Sequence, residues 1–177
     1  MAVKARGKSE AVERDAQRVL EQAWLDDGAG GIVLPVDPFY IARKFGVKVY
    51  LAELGEGVSG TLVKRGWYDD PEITLNSRDS RVRQRFTCAH ELGHFVKRSS
   101  TEDSVWEYVD RRDSLASQGT DEDEIYANRF AANLLMPTPF VVELRKEYGP
   151  VSPVSLAYEF GVSADAMSYR LADLGLT

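Results

Sequence analysis

Cysteine is almost missing from this chain of 177 residues: Cys88 is the only one. No intrachain disulfide can form, and a lone thiol suits a reducing compartment. Long apolar runs are missing as well. No stretch approaches the roughly 18 apolar residues of a membrane span, and the polar start from Met1 to Glu10 has no apolar signal core. Both absences point to the cytoplasm and to no membrane partner. Positive charge is also short, because 22 Lys and Arg face 28 Asp and Glu for a net charge of −6. That balance opposes broad affinity for phosphate backbones, so no direct nucleic-acid binding is expected. What remains is ordinary globular material, 44% hydrophobic and 28% charged. A chain of this length fits one domain and buries about 70% of its unfolded surface.

The expected organisation is a single domain over residues 1–177, with no fused DNA-binding or sensory domain. Residues 1–31 form its N-terminal helix, because Val12, Ala16, Val19, Leu20, Ala23 and Trp24 recur at steps of three and four and Gly28 to Gly31 end the stripe. Asp37 and Pro38 open a short helix that Gly46 closes. The period then shortens. Val47 to Ala52, Thr61 to Lys64 and Glu72 to Asn76 read as strands, which predicts a small antiparallel sheet of about three. Helical patterning resumes at Ser80. Residues 98–120 are polar and long for a connection, which suggests a flap or mobile segment. Further helices are expected over 121–136, 139–148, 153–160 and 163–174, the last two forming a helix-turn-helix-like pair within 151–177. The class is α+β.

The two histidines of the chain lie four apart, in His90-Glu91-Leu92-Gly93-His94. Positions i and i+4 share one helix face, so both imidazoles reach one zinc ion while Glu91 reaches the water bound to it. Phe86, Ala89, Gly93 and Val96 make the flanks apolar or small and sink the site into a core. Ala89 and Gly93 would admit a neighbouring helix closely, which accounts for a glycine where it costs about 1 kcal/mol against alanine. Zinc in hydrolases takes three protein ligands and leaves room for water. No third histidine exists, so the remaining ligand should be a carboxylate from Asp121-Glu122-Asp123-Glu124. Glu124 is the choice, because it shares a helix face with the small residues Ala127 and Ala131 and with Asn128. Asn128 is placed to accept a hydrogen bond from a ligand histidine and fix its tautomer. The other three acids read as a solvated helix N-terminus.

Arg83-Gln84-Arg85-Phe86-Thr87-Cys88-Ala89-His90-Glu91-Leu92-Gly93-His94, followed by Glu124-x-x-Ala127-Asn128-x-Phe130-Ala131-Ala132-x-Leu134-Leu135-Met136-Pro137, resembles the ImmA/IrrE family of zinc metallo-endopeptidases. The likeness runs from about Pro35 to Thr177 and includes Val36-Asp37-Pro38, Ser59-Gly60, Ile73-Thr74-Leu75-Asn76 and Leu156-Ala157-x-x-Phe160-Gly161-Val162-Ser163. The resemblance implies a zincin-like helical core, zinc ligands at His90, His94 and Glu124, a base at Glu91 and an intracellular protein substrate. In that family the substrates are typically helix-turn-helix repressors, whose cleavage derepresses mobile-element or stress genes.

The expected reaction is peptide-bond hydrolysis with one Zn2+ per chain, Mn2+ being the alternative ion. Tyr108, Tyr126, Arg129 and Tyr158 are candidates for the oxyanion donor. Substrate is expected to add a strand to the sheet edge at Ser59 to Lys64, through Gly60, Thr61 and Leu62. Cys88 lies two before His90 and so points off the ligand face, as a small buried hydrophobe. A competing reading makes Leu156 to Leu171 a DNA-binding helix-turn-helix. Charge argues against it, since residues 151–177 hold one arginine, Arg170, against Glu159, Asp165 and Asp173. A zinc-binding scaffold without catalysis, serving protein interaction, fits the same residues.

Overall fold

The computed structural model describes residues 2–25, 32–99, 106–111, 122–149 and 152–176. In chain order it runs α1 (Ala2–Leu25), α2 (Pro38–Lys44), β1 (Lys48–Ala52), β2 (Val58–Lys64), β3 (Glu72–Asn76), α3 (Arg81–Ser99), β4 (Trp106–Arg111), α4 (Glu122–Leu135), α5 (Thr138–Tyr148), α6 (Pro153–Phe160) and α7 (Ala164–Asp173). Short polar side chains start several of these helices. Asp37 accepts from Phe39 N at 2.9 Å with Pro38 in the first position of α2, and Ser152 and Ser163 cap α6 and α7 in the same way. Gly161 closes α6 at φ +61°, the left-handed conformation glycine adopts without penalty.

The class is α+β, and the sheet departs from expectation in two respects. Among the described residues it has four strands in the order β1-β3-β2-β4, and β1 lies parallel to β3 while the other pairs are antiparallel. The parallel pair has no local sequence signal, because β2 and β3 form the local antiparallel pair and β3 then inserts beside β1. Burial reflects this: Leu62, Ile73 and Leu75 are fully buried, whereas Leu51 on β1 is exposed. The fourth strand comes from the segment expected to be a flap. Trp106–Arg111 pairs with β2, Leu62 opposite Tyr108 and Lys64 opposite Trp106. The rest of that segment, 100–105 and 112–120, lies outside the described residues. β2 is therefore an inner strand with partners on both sides, not the sheet edge, and the strand addition expected at Gly60, Thr61 and Leu62 has no free backbone to use.

Helix α3 lies between the sheet and α4 and packs on both. The outer side of α4 is covered by α1, whose Val12, Ala16, Val19, Leu20 and Ala23 are buried. Two polar links reinforce that contact: Tyr126 donates to Asp15 Oδ2 at 2.8 Å, and Thr138, at the start of α5, donates to Glu13. Two arginines tie down the C-terminal pair. Arg85 donates to the carbonyls of Val36, Phe160 and Gly161, and Arg170 donates to Met136 O, Asn133 Oδ1 and Thr138 Oγ1. Arg170, the one arginine of the pair, is thus turned inward and is 5% exposed.

Candidate metal centre

Two glycines set how closely α3 approaches its neighbours. A Cβ on Gly93 would sit 2.9 Å from Ala127 Cα and 3.1 Å from Phe130 Cβ, so α3 and α4 meet almost backbone to backbone there. A Cβ on Gly60 of β2 would sit 2.5 Å from Thr87 Cγ2 and 3.4 Å from Glu91 Oε1. The helix is pinned on both flanks along the stretch that holds His90, Glu91 and His94, which are 0%, 0% and 2% exposed.

Close approach to α4 delivers the third donor. Glu124 Oε2 lies 3.3 Å from His90 Nε2, Glu124 Oε1 lies 3.2 Å from His94 Nε2, and the two Nε2 atoms are 3.1 Å apart. Zinc with ligands at about 2.0–2.2 Å in tetrahedral geometry separates its donors by about 3.3–3.6 Å. Each of the three separations is close to that range, although the two histidines face different oxygens of Glu124; with one donor atom from each residue the set lies within 4.8 Å, and two imidazoles with a carboxylate suit zinc. Asn128, one turn after Glu124, accepts from His90 Nδ1 at 3.0 Å. That bond places the ring proton on Nδ1 and leaves Nε2 with its lone pair facing the cluster.

Electrostatics keep the trio ready to ligate. Burial, aided by the His90 imidazole, pushes His94 below its ordinary value despite the opposing bond to Glu124, so the neutral ring is favoured. The His90 and His94 rings beside it hold the Glu124 carboxyl well below the usual carboxylate range. Asp123 takes no part in the cluster, for it pairs with Lys97 and Arg98 of α3. Cys88, on α3 itself, is fully buried, and burial pushes its thiol up.

The candidate oxyanion donors fare differently. Tyr126 is committed to Asp15, and Tyr158 is 85% exposed on α6. Arg129 lies on the exposed face of α4, and Tyr108 sits on β4 opposite Leu62. Sequence reasoning missed a cleft of about 460 Å³ between α3, α4 and α7, walled in part by Phe86, Asn128 and Tyr169. No local signal announces it, because its walls come from segments 30 or more residues apart in the chain.

The sequence profile of the IrrE N-terminal-like domain, Peptidase_M78, matches residues 31–172. The chain belongs to this family. It is similar to two proteins named radiation response metalloprotease IrrE. With that of Deinococcus radiodurans it shares 33% identity over 126 residues, 66% of this chain and 37% of the relative. With that of Deinococcus deserti it shares 33% over 130 residues, 67% of this chain and 44% of the relative. The chain thus spans less than half the length of either. Membership of Peptidase_M78 places it among the metallopeptidases, with His90, His94 and Glu124 as its possible metal site.

Proposed function

We propose that this chain is a zinc-dependent endopeptidase that cuts a peptide bond in an intracellular protein, with His90, His94 and Glu124 as metal ligands and Glu91 as general base. One observation carries the reading: donor atoms of His90, His94 and Glu124 lie within 4.8 Å of one another, and Glu91, on the helix of the two histidines, is wholly buried. Zinc, when bound, supplies Lewis acidity and brings the pKa of water from 15.7 towards about 7. Glu91 follows the first ligand directly and would take the proton of the attacking water and return it to the leaving nitrogen. Asn128 fixes the His90 tautomer, and Glu124 contributes the one formal negative charge among the ligands. No helix among the described residues is long and apolar enough to cross a membrane, which agrees with a cytoplasmic place of work.

The substrate we propose is a helix-turn-helix repressor, whose loss would release mobile-element or stress-response genes. Family membership and the radiation-response relatives support this choice. The test uses zinc-loaded protein and a helix-turn-helix protein encoded beside it, with Glu91→Gln in parallel. Cleavage should fall by about 10²–10⁴-fold in the variant at unchanged zinc content. Equal cleavage by both proteins would remove Glu91 from its role, and protein that holds no stoichiometric metal would remove the whole reading.

A further inference from the structure

The α3–α4 contact that holds the ligands continues one turn beyond them into the cleft, whose lining includes no ligand but shares Asn128 with the site. Phe86 lies one turn before His90 on α3, and Asn128 lies one turn after Glu124 on α4; both line the cleft, and Ala132 continues it a further turn along α4. The far wall is α7 with the turn before it, through Val162, Ala166 and Tyr169. Asn128 is shared, since its carboxamide oxygen holds His90 while its side chain forms part of the cleft wall.

From this continuity we infer that the cleft is a substrate subsite, which takes an apolar side chain of the polypeptide next to the scissile bond. The inference rests on the endopeptidase reading. Its chemistry follows from the walls. Phe86, Ala132, Val162 and Ala166 offer carbon, and the Tyr169 ring stands at the mouth with 78% of its surface exposed. Two charged residues of opposite sign, Arg83 and Asp165, also line it, so the cleft has no net charge with which to select an ionic side chain. A volume of about 460 Å³ falls within the range of about 300–1,000 Å³ for clefts that hold small ligands. A leucyl or phenylalanyl side chain fits with room for the adjoining backbone, and burying it favours such substrates by about ten- to a hundredfold.

The experiment has two arms, both with the full chain and with Ala166→Phe, which fills the cleft from the α7 side without touching the ligands. In the first, zinc-loaded protein is given a random-sequence peptide library, and the cut sites are read by mass spectrometry. Leu, Ile, Met or Phe should dominate one position beside the cut. In Ala166→Phe that position should shift to Ala, Ser or Gly, with kcat/KM for peptides bearing Leu there down about tenfold or more relative to peptides bearing Ala. In the second, metal-free protein is titrated with N-acetyl-leucinamide, N-acetyl-glycinamide serving as control, by saturation-transfer NMR. The leucine probe alone should bind, and Ala166→Phe should abolish it. Cutting with no preference at any position, or a preference that Ala166→Phe leaves intact in a folded, zinc-replete protein, overturns the subsite and spares the peptidase. Probe binding without any shift in the cut sites does the same. Absence of cutting by the zinc-loaded wild type overturns the peptidase reading, and the subsite with it.

Discussion

Gly93→Ala sets two physical effects against each other with opposite signs. In an isolated helix, alanine is favoured over glycine by about 1 kcal/mol, so propensity alone predicts a more stable protein. Here the new methyl would lie 2.9 Å from Ala127 Cα, a backbone atom that no rotamer change can move. Ordinary contact begins at 3.4 Å, so α4 must retreat by about 0.5 Å or more at its closest point. Overpacking of that kind costs about 1–3 kcal/mol, which leaves a net loss of about 0–2 kcal/mol after the gain in propensity. At this size each kcal/mol lowers Tm by about 2–4 °C. The larger effect falls on the metal, because Ala127 is three residues from Glu124 and the helix moves as a body. Donors now 3.1–3.3 Å apart would separate, and zinc affinity should drop by about 10–100-fold, the range seen when ligand positioning is disturbed. Chelator competition measures the affinity and a thermal melt of the metal-free protein measures the stability. A variant that melts higher and binds zinc as tightly as the parent would refute the close approach as the reason for glycine.

Asn128→Ala frees the His90 tautomer and should weaken zinc binding by about 10–100-fold with little change in urea midpoint; unchanged affinity would show the bond to be incidental. Acid should destabilise the metal-free protein. His94 is held below its ordinary 6.5 in the fold, so on acidification the unfolded chain takes up that proton first; the contribution is present above about pH 6.5 and lost as pH falls below it. The urea midpoint should therefore drop between about pH 7.5 and 5.5, and His94→Ala should flatten that slope. A slope as steep in the variant as in the parent would rule out His94 as its source. Cys88 should resist iodoacetamide at about pH 8 in the native state and react fully in urea, since burial keeps it as the thiol. Rapid labelling of folded protein would contradict its placement.

Local information was enough for much of this molecule. The cap at Asp37 and the i, i+4 pair of histidines each act within one or two turns, so spacing alone reveals them. The placement of Glu124 beside the two histidines was reachable because α4 presents a small contact face, which Ala127 and Ala131 supply. The parallel pairing of β1 with β3 and the place of β4 beside β2 were not reachable, because they depend on which strands meet after the chain has turned away. Sequence patterning shows that Thr61 to Lys64 favours a strand; it does not show how many neighbours that strand has. The inward turn of Arg170 was hidden for the same reason, since its three acceptors lie 32 to 37 residues earlier in the chain.

The stretch shared with the family begins at residue 31, after α1 has ended. Yet α1 seals the outer side of α4 with five buried apolar residues, and through Asp15 it grips Tyr126, two positions past Glu124. Common ancestry and mechanical integrity therefore draw different borders on this polypeptide. The helix outside the shared stretch is, by load, the back wall against which the Glu124 carboxylate is held at its post.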